Sequence, residues 1–298
     1  MKSATTSDPI EETSDTVPCW VCGDAATLLP DYSPLLLFCC PGCGFCFQPT
    51  IDSETVRASY TTEYFENYVL ARRYEARVRL AFARNFISPP GQLLEVGSAT
   101  GEFLSEANLA GWDSLGIEPC EEVAEEATKS LGARTIAGFV EDVALEPRSF
   151  DLVCGWHVLE HIRDPMPPLS MLRKALRPGG YAIFEVPNFA SVYARRDGPR
   201  WRYLDPLFHV GQFSPRALRE LFTLADFQVR MVTSVPMIAY VTPRDSLRPR
   251  QLFRQARYAL ATGTRGFGSH PDKFDLLRIV AQAPAASPAG DEQGDQRP

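Results

Sequence analysis

The feature that most constrains this chain is a regular alternation of short apolar runs and amphipathic segments that begins at Gln92. The run LLEV reads as a buried strand, and the segment GEFLSEANLAGW places Phe103, Leu104 and Ala107 at helical spacing before Gly111 ends the helix. Strands that alternate with helices predict a parallel sheet covered on both faces. The same pattern predicts strands at 114–119, 133–138 and 181–187, a strand running into a short helix at 150–162, and helices at 121–132, 168–177 and 216–227.

Two late apolar runs, 226–237 and 274–282, are predicted to form an antiparallel strand pair at one edge of that sheet. The whole α/β unit spans residues 91–283, and linking helices at 51–90 lead into it. Residues 1–16 and 284–298 are polar and cannot bury enough apolar surface to offset the entropy of ordering, so both are predicted to be disordered.

Six of the eight cysteines lie close together in a module at residues 17–50. CWVCG and CPGCG are matching knuckles with 17 residues between Cys22 and Cys40, which is the spacing of a zinc ribbon. Four thiolates complete the coordination of the ion, so the zinc is expected to be structural. Cys39 and Cys46 are additional, and either could replace a neighbouring ligand. Disulfide bonds are not favoured in a chain without an export signal. The predicted ligands are Cys19, Cys22, Cys40 and Cys43.

The ribbon carries almost no charge. Between Val17 and Thr50 the only charged residues are Asp24 and Asp31, and the whole chain has a net charge of −7. A ribbon without lysine or arginine cannot neutralise phosphates, so nucleic acid is disfavoured as a partner. Its apolar side chains predict docking on the main domain, in a homodimer, or on a biosynthetic partner protein. No apolar run is long enough to span a membrane, and the amino terminus lacks a signal-peptide pattern, so a cytoplasmic protein is expected.

The turn after the first main-domain strand, LLEVGSATGEF, is built to bring backbone close to a ligand. A dinucleotide fingerprint requires G-x-G-x-x-G, whereas Gly97, Ala99 and Gly101 have a different spacing. Glu95, two residues before the first glycine, would repel a pyrophosphate and attract an ammonium group. The pattern therefore favours a ligand with an α-amino group and no phosphates, a description that fits S-adenosylmethionine. Glu118, at the end of the second strand, can accept hydrogen bonds from ribose hydroxyls.

Together these motifs resemble those of the class I S-adenosylmethionine-dependent methyltransferases, and more narrowly the bacterial group with an amino-terminal cysteine ribbon. The resemblance runs from about Cys19 to Ala283. It is carried by the two knuckles, LLEVGSATG, GIEP, FDLVCGWHVLEHIRDP, LRPGGYAIFEVPN and the segment from Trp201 to Ser214. It implies a Rossmann-like seven-stranded sheet, parallel with an antiparallel edge strand, next to a small zinc ribbon.

The resemblance also implies how the cofactor is held. Val140 and Glu141 are expected to flank the adenine, Trp156 and His157 to border the methionine portion, and Tyr64 to reach the cofactor. The family usually has glycine where Ala99 stands, and the extra methyl is expected to be tolerated if the backbone torsion is ordinary. The full predicted cofactor set is Tyr64, Glu95, Gly97, Ser98, Ala99, Gly101, Glu118, Pro119, Val140, Glu141, Trp156 and His157.

Two histidines, His209 and His157, are the candidate catalytic residues. In related enzymes a histidine at the position of His209 faces the transferred methyl, and an unperturbed pKa near 6.5 allows it to take a proton. Equally, His209 could hold its loop to the following helix, and Phe208 stands where related sugar C-methyltransferases have an acidic residue. His161 is expected to be structural, packing beneath the fourth strand.

The sequence thus predicts an enzyme that transfers a methyl group to oxygen or carbon of a small-molecule acceptor, such as a secondary metabolite, a sugar or a quinol. Two alternatives keep the same fold. One is an RNA methyltransferase with a ribbon, and the other is a non-catalytic cofactor-binding scaffold in a biosynthetic complex.

Overall fold

A computed structural model of the protein describes residues 16–50, 69–87, 91–205, 208–236 and 270–285. The strands are β1 (Thr16–Pro18), β2 (Ala25–Leu28), β3 (Phe38–Cys39), β4 (Cys46–Phe47), β5 (Gln92–Val96), β6 (Asp113–Glu118), β7 (Thr135–Ala137), β8 (Phe150–Trp156), β9 (Leu176–Pro187), β10 (Gly211–Gln212), β11 (Gln228–Val235) and β12 (Leu276–Gln282). The α-helices are α1 (Val69–Ala83), α2 (Glu102–Leu109), α3 (Glu121–Leu131), α4 (Met166–Ala175), α5 (Val192–Asp197) and α6 (Pro215–Leu224).

Seven strands form the main sheet in the order β11-β12-β9-β8-β5-β6-β7. The pairs among β9, β8, β5, β6 and β7 are parallel, and β12 pairs antiparallel with both β9 and β11. The predicted α/β sheet with an antiparallel addition at one edge is confirmed. Its central strands are continuous apolar runs because helices cover both faces, and Leu93, Leu94, Leu152 and Val153 are fully buried.

One boundary differs from the sequence prediction. Helix α4 ends at Ala175, and the chain enters β9 at Leu176 instead of turning at the glycines that follow Pro178. Phe150 of β8 pairs with Leu176 of β9, and Leu152 pairs with Tyr181. The extra residues at the start of β9 therefore lie in an irregularity of the pairing with β8.

The ribbon docks on the main domain through a shared sheet. Strands β1 to β4 form a meander, and β10, from the main domain, adds to it by pairing with β4. The backbone N–H of Gln48 donates to the carbonyl of Val210 at 3.0 Å, and the rings of Phe45 and Phe213 lie 4.9 Å apart. Docking on the main domain was the first of the predicted alternatives for the apolar ribbon.

Cys39 and Cys46 face each other across β3 and β4 and are joined by a disulfide. The expectation against disulfides is wrong for this pair, because hairpin pairing brings two cysteines seven residues apart into direct register. The bond removes both residues from the candidate metal ligands.

A buried ionic network connects α1, β9 and β12 near the end of β8. Glu185 on β9 is 1% exposed and accepts hydrogen bonds from Arg79 of α1, at 2.6 Å, and from Arg278 of β12. Burial would raise the pKa of Glu185, but the charges of Arg278 and Arg79 outweigh it and hold that pKa well below its ordinary value. The carboxylate is therefore charged at neutral pH and forms ion pairs with two arginines that are nearly inaccessible to water.

We expect Glu185→Gln to destabilise the protein by about 3–5 kcal/mol, because it removes the buried carboxylate that Arg79 and Arg278 share. A drop of that size corresponds to a fall of roughly 6–20 °C in the thermal unfolding midpoint. Asp197→Asn is the matched control, since it removes one carboxylate of the exposed Arg196–Asp197 ion pair, and it should leave the midpoint in place. Equal midpoints for the two variants would contradict the assigned importance of the network.

Candidate functional site

The turn between β5 and α2 holds its backbone in conformations that favour glycine. Gly97 and Gly101 have φ values of 69° and 83°. A Cβ at Gly97 would lie 2.7 Å from a methyl of Val158, and one at Gly101 would lie 2.9 Å from the Cβ of Ala133. Both glycines are therefore required by torsion and by space, which is the arrangement expected where backbone approaches a ligand.

Ala99 lies at the centre of this turn with φ 45°. The extra methyl was expected to be tolerated if the torsion at this position were ordinary, and that condition is not met. A left-handed alanine costs about 1–2 kcal/mol. Its methyl packs against the buried Cys120 and Val123, which offsets part of that cost. Alanine at this position therefore gains packing against the start of α3 and loses the conformational freedom that glycine would provide.

Glu118 braces the same turn from the end of β6. Its Oε2 accepts a hydrogen bond from the N–H of Ala99 at 2.8 Å, and its Oε1 accepts one from the N–H of Cys120 at 3.1 Å. The structure thus places Glu118 at the predicted ligand-binding turn and gives it a second role that the sequence did not reveal, which is holding the loop backbone in shape.

Glu95 lies at the base of the turn and is 3% exposed. Burial raises its pKa well above the ordinary value, Arg79 opposes the rise, and the nearby Glu102 and Glu118 reinforce it. Among the described residues, Glu95 Oε2 and the hydroxyl of Ser98 are buried without a hydrogen-bond partner. A cationic ligand would relieve this crowd of carboxyl groups, whereas a phosphate would be repelled.

A cavity of about 540 Å³ opens beside the turn, within the size range of small-molecule sites. It is lined by three of the predicted cofactor residues, Pro119, Val140 and Glu141. Trp20 from the ribbon also lines it, with the guanidinium of Arg163 lying 5.4 Å from the Trp20 ring. The ribbon is therefore part of the cavity wall, a contribution that the sequence analysis missed.

Trp156 and His157 lie at the end of β8. The Trp156 ring packs 5.3 Å from Phe103, and the guanidinium of Arg79 lies 4.9 Å above it. His157 adopts a left-handed conformation, φ 61°, and its backbone N–H donates to the carbonyl of Glu185 at 2.8 Å. A histidine tolerates this torsion better than a branched residue, but the cost remains, which is typical of functional positions.

The side chain of His157 is held by Glu160 through Nδ1 at 3.0 Å from Oε1. Burial would lower the pKa of His157, but this hydrogen bond and the charges of Glu160 and Glu185 outweigh it and raise that pKa. The Glu160 carboxyl is fully buried, and burial would raise its pKa, yet the bond and the three surrounding histidines lower it. Glu160 is thus anionic at neutral pH.

The second candidate base, His209, lies beside His161. The two imidazole rings are 4.8 Å apart and perpendicular. Glu160, His161 and His209 each present one possible metal-ligand atom, and these atoms lie within 4.8 Å of one another. The structure therefore brings both predicted catalytic residues, His157 and His209, close to the carboxylate of Glu160.

The four predicted ribbon cysteines also converge. One sulfur from each lies within 4.8 Å of the others, with Sγ–Sγ distances of 3.6 Å for Cys19–Cys43 and 3.5 Å for Cys22–Cys40. Tetrahedral zinc with bonds of about 2.3 Å would separate its sulfur ligands by about 3.8 Å. The residues therefore fit a structural zinc ion without rearrangement of the knuckles.

Several site residues were not identified from sequence. Trp20 and Glu160 lie inside the quoted motifs and Arg79 lies in a predicted linking helix, but their roles depend on tertiary contacts that the motifs do not show. Glu185 did leave a signal, since it interrupts the apolar strand YAIFEVP. Tyr64, a predicted cofactor residue, lies outside the described residues.

Residues 68–232 match the sequence family described as a methyltransferase domain, which is more than half of the chain. The chain belongs to this family. Segments of this chain are similar to a probable S-adenosylmethionine-dependent methyltransferase of Mycolicibacterium smegmatis, with 33% identity over 31% of this chain and 34% of that protein. They are also similar to a ubiquinone biosynthesis O-methyltransferase of Methylococcus capsulatus, with 29% identity over 37% of this chain and 50% of the relative.

These matches span between a third and a half of the length of the two relatives. Among solved structures, a Thermotoga maritima protein described as an S-adenosylmethionine-dependent methyltransferase and possible histamine N-methyltransferase aligns with a TM-score of 0.53 and 19% identity. That alignment covers 77% of this chain and 98% of the neighbour. At this identity the likeness establishes the fold alone. No described helix of the chain is both long and apolar enough to cross a membrane.

We expect Cys43→Ser to remove one zinc equivalent per chain, measured by elemental analysis, because three thiolates do not complete a structural site. Since β4 pairs with β10, loss of the ion should also speed amide hydrogen exchange at residues 210–213. Cys120→Ser is the control, because Cys120 packs beside the turn and away from the ribbon. Unchanged zinc content in the Cys43 variant would disprove the assigned ligand set.

Proposed function

We propose that the methyltransferase transfers the methyl group of S-adenosylmethionine to oxygen or carbon of a small-molecule acceptor, such as a secondary metabolite, a sugar or a quinol-like compound. The observation that carries this proposal is the acidic, glycine-shaped turn at residues 95–101. Its carboxyl groups favour a ligand that brings an ammonium and a sulfonium, and disfavour a pyrophosphate.

The proposed cofactor site extends from this turn to the cavity. Glu118 would accept the ribose hydroxyls, Val140 and Glu141 would flank the adenine, and Trp156 and His157 would border the methionine portion. The burial of the turn and the packing of Trp156 support exclusion of water from the transfer site. Positioning and a dry site supply much of the acceleration in methyl transfer to a preformed nucleophile.

The proposed acceptor side includes His209. Its Nδ1 donates to the carbonyl of Tyr203 at 2.8 Å, which leaves Nε2 to act on an acceptor that must lose a proton. The zinc ribbon, by pairing with β10 immediately after His209, would hold this loop in place.

Titration calorimetry tests the cofactor assignment. S-adenosylmethionine should bind and NAD should not. Burial raises the pKa of Glu95 in the free protein and the ammonium group would stabilise the charged form, so binding should release a proton at pH values below that raised pKa and above the lower pKa of the complex. Proton release is measured by repeating the titration in buffers that differ in ionisation enthalpy. Glu95→Gln should abolish the proton release. It should also weaken the binding of S-adenosylmethionine about ten- to a hundredfold, because one charge-assisted hydrogen bond is lost. Binding of NAD in place of S-adenosylmethionine would refute the assignment.

A second test concerns the acceptor side. We expect His209→Ala to lower the turnover number by about a hundredfold or more while the Kd for S-adenosylmethionine stays unchanged. The assay measures S-adenosylhomocysteine produced with a panel of catechols, quinols and sugar nucleotides. The exposed His270 supplies the control variant, His270→Ala, which should behave like the native protein. Tight cofactor binding without turnover on any acceptor would favour the scaffold alternative instead.

A further inference from the structure

The cluster formed by Glu160, His161 and His209 has the composition of a metal site. Glu160 and His161 lie on the short 3-10 turn Leu159–His161 that follows β8, and His209 approaches them from the loop before β10. One possible ligand atom from each side chain lies within 4.8 Å of the other two. The three residues are thus brought together by tertiary structure from segments 48 positions apart in the sequence.

Backbone carbonyl groups fix the proton positions of both imidazoles. His161 Nδ1 lies 2.9 Å from the carbonyl oxygen of Phe208, and His209 Nδ1 lies 2.8 Å from that of Tyr203. A carbonyl oxygen only accepts hydrogen bonds, so each Nδ1 carries the hydrogen and each Nε2 carries a lone pair in the neutral ring. Metal-binding histidines are oriented in this way, with the second nitrogen donating to a carbonyl or carboxylate.

The carboxylate of Glu160 completes the set. It is fully buried, and Oε1 accepts the hydrogen bond from His157. Oε2 has no hydrogen-bond partner among the described residues, and a buried, charged acceptor without such a partner is unfavourable. A cation next to Oε2 would remove that cost.

We propose that Glu160 Oε2, His161 Nε2 and His209 Nε2 bind a divalent transition-metal ion of the zinc class, separate from the ribbon zinc. Two imidazoles and one carboxylate are a ligand set for Zn²⁺ and its neighbours in the first transition row, and they leave a fourth position open. Bonds of about 2.1 Å would bring the ligand atoms to about 3.4 Å from one another, so the side chains close slightly around the ion.

The open position gives the ion a role in the reaction. His161 lines the 540 Å³ cavity, so an acceptor in that cavity can reach the ion. The inference rests on the proposed function and narrows it to hydroxyl acceptors, and it replaces the role of His209 as a base with that of a metal ligand. The ion withdraws electron density from the hydroxyl oxygen, whose proton leaves to water. The oxygen then bonds to the methyl carbon as the carbon–sulfur bond breaks with its electron pair moving to sulfur, which gives the methylated acceptor and S-adenosylhomocysteine.

Cobalt titration of the full-length, metal-stripped protein tests this site. The wild-type protein should bind two Co²⁺ per chain, and one of them should show the intense sulfur-to-metal charge-transfer absorption of a thiolate site. The other should show only the weaker visible bands of nitrogen and oxygen ligands. We expect His209→Ala to lose the second ion and keep the first, and His270→Ala to keep both. Glu160→Gln should weaken the second site at least tenfold while retaining its histidines.

Calorimetry with S-adenosylmethionine on the same samples separates the possible failures and confirms that each variant is folded. One Co²⁺ per wild-type chain, with cofactor binding intact, overturns the second site and leaves the proposed function standing. Two Co²⁺ ions without cofactor binding would uphold the site and overturn the proposed function. If the second ion persists in both the His209 and the Glu160 variants, the assigned ligands are wrong.

Discussion

The carboxylate of Glu185, held between two buried arginines, is the interaction on which the arrangement of the site depends. Arg79 belongs to the helix that leads into the sheet, Arg278 belongs to the antiparallel strand, and Glu185 lies on the last parallel strand between them. The same residue receives the backbone N–H of His157, and Arg79 covers Trp156. Glu185 therefore links the helix and the added strand through its carboxylate, and the end of β8 through its backbone carbonyl.

Electrostatics separates this site into two regions with opposite requirements. Around Glu95, several carboxyl groups crowd a buried turn and raise the cost of negative charge, so that a cationic ligand is favoured. Around Glu160, three histidines surround one carboxylate and lower its pKa. The first region suits a sulfonium cofactor, and the second suits an acceptor whose oxygen must become a nucleophile. Both lie beyond the carboxyl ends of the parallel strands, where open α/β sheets bind their ligands.

The alternation of apolar runs and helices was sufficient to predict the sheet, because parallel strands covered on both faces have no polar side to interrupt their pattern. The spacing of the knuckles was sufficient to predict the cysteine cluster, since ligand geometry constrains sequence spacing directly. Long-range contacts were not predictable in this way. The torsion of Ala99 and the approach of Trp20 to the cavity depend on packing between distant segments. The Glu185–Arg278 pair was detectable in principle, because each residue is a lone charge in an apolar strand.

The pairing of β4 with β10 has a consequence for how this protein can vary between organisms. Three kinds of contact cross the boundary between the cysteine module and the α/β unit. They are the hydrogen bonds between β4 and β10, the contact of Phe45 with Phe213 and the approach of Trp20 to the cavity. Neither unit is then an independent cassette that recombination can exchange intact. Substitutions at residues 45–48 and at residues 209–213 should therefore covary, because a change on one side of this contact requires a compensating change on the other.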